Sequence, residues 1–134
     1  MSEIFNGEWW TVQLPTGWHA APEEHGASFW RTPRAGTLHL SSARKSAGPV
    51  SDEDLKDFAA ERLTAGHQLQ RAESRAFSGF QCIRSDASLS WNEWWLKHGS
   101  LMIYATYVVP ADKTSDLEEQ EVLAILESLA ERYS

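Results

Sequence analysis

A single cysteine, Cys82, is all that 134 residues contain. No internal disulfide can form, nothing points to an oxidising compartment, and no second thiolate exists for a zinc site. No apolar run approaches the roughly 18 residues of a membrane span. The start, "MSEIFNGEWW", lacks the basic-then-apolar order of a secretory signal, so the expected location is the cytoplasm. Bases are scarce, with 12 Lys and Arg against 19 Asp and Glu and a net charge of −7. Arg31, Arg34, Arg44 and Lys45 form the only basic concentration, and they read as solvated charge beside two turns. A phosphate backbone needs clustered cations, so nucleic acid is not an expected partner. Glycine-rich phosphate loops are missing too; "GHQLQ" and "GASFW" carry one glycine each. Neither repeats nor Gly/Ser-rich linkers divide the chain, which reads as one domain, 1–134, with 1–7 a flexible start.

Catalytic chemistry is equally thin. Five histidines, at 19, 25, 39, 67 and 98, show no short helical spacing for a metal. His19 and His25 flank Glu23 and Glu24 around a turn, a cluster expected of a solvated loop. His39 belongs to a strand and His98 to a turn beside Gly99. No serine sits in a strand-turn-helix elbow. Cys82 lies inside a strand with no adjacent base to lower its pKa and reads as a small core residue. Glu118, Glu119 and Glu121 read as a solvated helix face. The expectation is therefore a non-enzymatic protein with no catalytic residue, metal or cofactor. A histidine-based hydrolase stands as a third reading, behind two binding roles described below.

Periodicity supplies the architecture. "EWWTVQL" alternates, placing Trp10, Val12 and Leu14 on one face, and "PTG" turns the chain. A strand from Trp18 should be interrupted or ended by Pro22. "ASFWRT" and "TLHLSSA" follow as strands around the "PRAG" turn. "VSDEDLKDFAAERLTAG" predicts a helix over about 51–65, with a Ser51/Asp54 capping box and a Val50/Leu55 staple. Its stripe runs Leu55, Phe58, Ala59, Arg62, Leu63, and Gly66 stops it. Strand patterns resume in "LQRAESRAF", "GFQCIRSDASLSWNEWWLK" and "SLMIYATYVV". The middle run is too long for one strand and predicts a bend or bulge near Ser85–Ser88. A closing helix over about 115–133 has a Ser115/Glu118 box and a stripe of Val122, Ile125, Leu126, Leu129 and Tyr133. Two widely separated helices cannot supply parallel crossovers. The predicted fold is α+β: a mainly antiparallel β-sheet flanked by the two helices as an α/β/α sandwich.

This order resembles that of the PsbP-like superfamily, which includes the extrinsic photosystem II subunit and Ran-binding Mog-type proteins. The matching segments are "LPTGW" at 14–18, "FWRTPRAGTLHLSS" at 29–42 and "SDEDLKDFAAERL" at 51–63. The hairpin "WNEWWLKHGSLMIYATYVVP" and the final "ILESLAERYS" extend the resemblance over most of 8–134. It implies a non-enzymatic scaffold that binds another protein; some bacterial relatives are adaptor chaperones for type VI secretion effectors. The absence of a chloroplast transit segment argues against the photosystem role.

Seven tryptophans are the chain's conspicuous excess, and three fall in "WNEWW". Alternation separates Trp91, Glu93, Trp95 and Lys97 from Asn92, Trp94 and Leu96. A two-residue His98-Gly99 loop joins the first set to Met102, Tyr104 and Thr106. A three-residue loop joins Trp91 and Trp95 to Leu101, Ile103, Ala105 and Tyr107 instead. Under either turn Trp94 is a core residue, whereas Trp91 and Trp95 share a face that is either covered by a helix or offered to a partner. The candidate partner-binding residues are Trp91, Trp95, Glu93, Tyr104 and Trp9. The leading expectation is a binding module for another protein or its apolar segment, with homodimerisation as the simplest use of such a patch. An acidic immunity or inhibitor protein, with Glu-rich helices blocking a basic toxin, is the alternative.

Overall fold

The alternating segments form ten strands in the computed structural model, which describes residues 3–33 and 35–132. The first five are β1 (Glu3–Asn6), β2 (Trp10–Leu14), β3 (Trp18–Glu23), β4 (Gly26–Arg31) and β5 (Thr37–Arg44). Two short helices, α1 (Asp52–Phe58) and α2 (Ala60–Thr64), lead to β6 (Gln70–Glu73), β7 (Ser78–Ser85), β8 (Leu89–His98) and β9 (Leu101–Pro110). Helix α3 (Asp116–Glu127) and β10 (Ala130–Glu131) follow. The fold is α+β, and every strand pairing is antiparallel.

The expected sheet is two sheets. Seven strands are ordered β3-β4-β5-β9-β8-β7-β6, and three more β1-β2-β10. One face of the large sheet carries the main apolar cluster, with Phe29, Leu38, Leu40, Trp94, Leu96 and Ile103 all buried. Trp10, Val12 and Leu14 of the small sheet and Val122, Ile125 and Leu126 of α3 close over it. The opposite face carries a smaller cluster, in which Val50, Leu55 and Ala59 pack on Cys82, Trp95 and Met102. Cys82 is the core residue its setting implied, and burial pushes its thiol pKa up.

Several expectations need correction. The start at 3–6 is no flexible tail, because Glu3–Asn6 pairs with Thr11–Leu14. Pro22 does not end β3; the strand is a sheet edge, where a missing N–H costs no ladder bond. The bend near 85–88 is a full turn between two strands. Asp86 accepts there from the N–H groups of Ser88 (3.0 Å) and Leu89 (2.9 Å), so the chain reverses. The Ser51/Asp54 capping box is present, but the helix breaks at Ala59, leaving Phe58 63% and Leu63 44% exposed instead of in the stripe. Helix α3 stops at Glu127, and the next residues leave it to pair with β2, Ala130 opposite Thr11. Tyr133 lies outside the described residues.

Ser115 caps α3 as expected, accepting from the Glu118 N–H at 3.3 Å. The Glu118 side chain does not return the bond, and it is not part of a solvated face. It is 2% exposed and accepts from the Gly36 N–H (2.7 Å) and the Tyr107 hydroxyl (2.5 Å). One carboxylate thus joins α3 to the approach to β5 and to β9. Burial, followed by the bond to Glu118, pushes the Tyr107 hydroxyl well above its ordinary range. Glu118→Ala leaves two buried donors unpaired and is expected to cost about 2–4 kcal/mol. Glu118→Gln keeps an acceptor and should cost clearly less; urea unfolding of both variants measures the difference.

Candidate functional site

The β8–β9 hairpin decides where the tryptophans go. Its loop is Gly99-Ser100, since His98 pairs with Leu101. Gly99 has φ +57°, the sign the first loop position of a type II′ turn needs and one that His98 would resist. The register is two residues from that of a His98-Gly99 loop, so the two faces are divided as that loop predicts. Trp94 pairs with Ala105 on the apolar side, its indole N–H donating to Gln81 Oε1 at 3.0 Å. Trp91, Glu93, Trp95 and Lys97 stand opposite Val108, Thr106, Tyr104 and Met102 on the other side.

That second side is not an open aromatic patch. Trp95 is 3% exposed, covered by α1, and its ring lies 5.6 Å from that of Tyr104. Glu93 is 0% exposed. Trp91 is half-buried, with the Arg84 guanidinium 4.3 Å from its ring centroid. Trp9 is remote from this group, half-buried against the main core on the far side of the sheet, with Arg44 5.5 Å from its ring. The structure therefore brings Trp91, Glu93, Trp95 and Tyr104 together and leaves Trp9 out.

Glu93 is the centre of the group. Arg62 from α2 donates to both its oxygens, at 2.6 and 3.1 Å, and Arg84 from β7 donates at 3.1 Å. The Tyr104 hydroxyl donates at 2.5 Å. Two guanidiniums share this carboxylate, and Arg62 Nη1 also lies 3.8 Å from the exposed Glu61. Burial alone would push the Glu93 carboxyl up, but the bonds from Arg62, Tyr104 and Arg84 hold it below its ordinary 4.5. The same burial and bond push the Tyr104 hydroxyl well above its usual range. In the sequence Arg62 is only one member of the helical stripe, and Arg84 carries no signal of its own. The available signal was an acid between tryptophans in one strand and an arginine inside a helix stripe, each needing a partner.

Between the α1–α2 layer and the sheet lies a trough of about 420 Å³. Trp95, Met102, Ala59 and Tyr104 line it, Glu93 and Arg62 close one end, and Phe58 stands on its lip. A further hollow of about 350 Å³ shares Ala43, Phe58 and Met102 with it and continues along α1 past Val50, Lys45 and Asp54. The histidines form no comparable site. His39 pairs with Glu23 at 2.6 Å and His19 with the Thr32 hydroxyl at 2.8 Å, both on exposed ground. No serine hydroxyl bonds either ring, and no group of three or more His, Cys, Asp or Glu could hold a metal, among the described residues. No described helix is long and apolar enough to cross a membrane.

The depressed Glu93 pKa sets a pH dependence. Its contribution to stability is complete above the unfolded value of 4.5 and is lost as pH falls through the lower folded value. Glu93→Gln should therefore flatten the acid limb of a stability-against-pH curve measured by urea midpoints. Glu93→Ala, which strands two arginines, should cost about 3 kcal/mol at neutral pH.

The fold has a solved counterpart from Bacteroides thetaiotaomicron VPI-5482, similar with a TM-score of 0.70 at 13% sequence identity. The likeness covers 98% of this chain and 48% of that one, so this chain spans about half that protein's length. At this identity the likeness shows the fold alone. No family model and no curated protein matches the chain.

Proposed function

We propose that the chain is a non-catalytic, cytoplasmic protein-binding module that seats an apolar segment of a partner in the trough beside α1. The observation that carries this reading is Phe58, 63% exposed on the lip of a concavity walled by Trp95 and Met102. An aromatic ring at such an edge keeps a large apolar area in water, which contact with a partner would remove. The walls are rigid, since Trp95 and Met102 belong to the packed cluster under α1. The resemblance to PsbP-like scaffolds supports the same role, and an adaptor chaperone for a secreted effector is its narrower form. The arginines at the closed end add donors that can meet a backbone carbonyl of the bound segment.

The test uses Phe58→Asp. Phe58 packs in neither core cluster, so the variant should keep its fold within about 0.5 kcal/mol. A partner that co-purifies with the tagged protein from its own host, once identified and titrated, should bind the variant at least tenfold more weakly. Unchanged affinity would sink the reading. Trp95→Ala is the wrong probe, because emptying a core site of that size costs about 3–5 kcal/mol and confounds binding with folding. If the acidic inhibitor reading is right instead, Phe58→Asp leaves affinity intact and added salt weakens it steeply.

A further inference from the structure

The other side of the large sheet has a groove of its own, about 400 Å³, where α3 stops short of the β7–β8 end of the sheet. Its floor is Trp94 and Val122, and its lips are Ile83 and Leu123, 61% and 52% exposed. These are two of the chain's large apolar side chains left in water, and they flank a single concavity. Glu119, Val122 and Leu123 fall at i, i+3 and i+4 of α3 and so present one strip of the helix to it.

The polar lining has one sign. Glu119 is the groove's charged residue among those described, and neither lysine nor arginine lines it. Helix α3 carries five acids and no base. Glu118 is buried on Gly36 and Tyr107 and Glu121 is held by Arg31, so Asp116, Glu119 and Glu127 are the carboxylates left facing water. The indole N–H of Trp94 and the side-chain oxygen of Gln81 satisfy each other at 3.0 Å, so this pair offers a partner no unmet bond.

We propose that this groove docks a basic amphipathic segment of another protein. An aliphatic side chain of that segment sits between Ile83 and Leu123, and a lysine or arginine lies beside Glu119. A long cationic side chain suits both requirements at once, since its stem is apolar and its head donates. The surface is separate from the trough under α1, being on the opposite face of the sheet, and does not depend on it.

The probe is a pair of synthetic helical peptides with the same leucine face, one with lysine and one with glutamate on its polar face. Calorimetric titration of the full chain should show the lysine peptide binding at least tenfold more tightly than the glutamate peptide. Ile83→Thr with Leu123→Ser should weaken the lysine peptide at least fivefold, and Glu119→Gln a few-fold with a shallower salt dependence. Phe58→Asp should leave it unchanged, which keeps this result distinct from that of the trough. All the substituted positions are exposed, and a thermal melt checks the fold; Glu119→Lys serves if the double variant does not fold. Equal binding of the two peptides would overturn the proposal. So would an unchanged lysine-peptide affinity in the lip variants, which would mean diffuse attraction to an acidic protein. A wild type that sediments as a dimer and a Leu123→Ser variant that sediments as a monomer would overturn it too, assigning the groove to a second copy.

Discussion

The carboxylate of Glu93 is the point at which four segments meet. It belongs to β8, while its donors come from α2, β7 and β9. A full charge has been taken out of water to make this junction, and the desolvation cost offsets much of the attraction. Its main effect is positional. Fixed by two guanidinium bonds, α2 cannot slide along the sheet, and α1, one residue upstream, is held over Trp95. The walls of the trough thus depend on an ion pair that itself lies at the trough's end.

The two faces of the large sheet are built on different physics. One carries the main apolar cluster and is covered over most of its extent by α3 and the small sheet, so its position is set by area removed from water. The other mixes rings with charges and is sealed over only part of its extent, with hydrogen-bond geometry deciding which part. Both grooves lie where a helical layer runs out before the sheet does. Helices α1 and α3 are 7 and 12 residues long, too short to roof seven strands.

Most of this architecture was legible in the residues, because two-residue alternation fixes which side chains share a face even when the register is wrong. Trp94 on the core side follows from that rule alone, whereas Trp95 with Tyr104 also needs the loop to be two residues long. The Ser51 cap and the buried Val122-Ile125-Leu126 stripe were legible for the same local reason. What alternation cannot give is what lies across from a face. Phe58 satisfied the helical spacing of a core residue and yet is 63% exposed, because the layer it belongs to leaves a trough over Trp95 and Met102 unfilled. Glu118 had the spacing of a capping residue, and tertiary donors on Gly36 and Tyr107 claimed it instead. The site is less legible than the fold because Arg62, Arg84 and Glu93 are joined only by long-range pairing, which one sequence does not display.

The small sheet has a bearing on the order of folding. Strand β2 is flanked by β1, its sequence neighbour, and by β10, near the far end of the chain. The Gln13 N–H meets the Ser128 hydroxyl at 2.8 Å across 115 positions of sequence. Loop closure over such a span is slow, and until it happens β2 has one open side. A nascent chain therefore carries β2 with one edge unpaired until Ala130 and Glu131, more than a hundred positions downstream, have been made. For that interval the unpaired edge of β2 is a template on which another chain can add a strand.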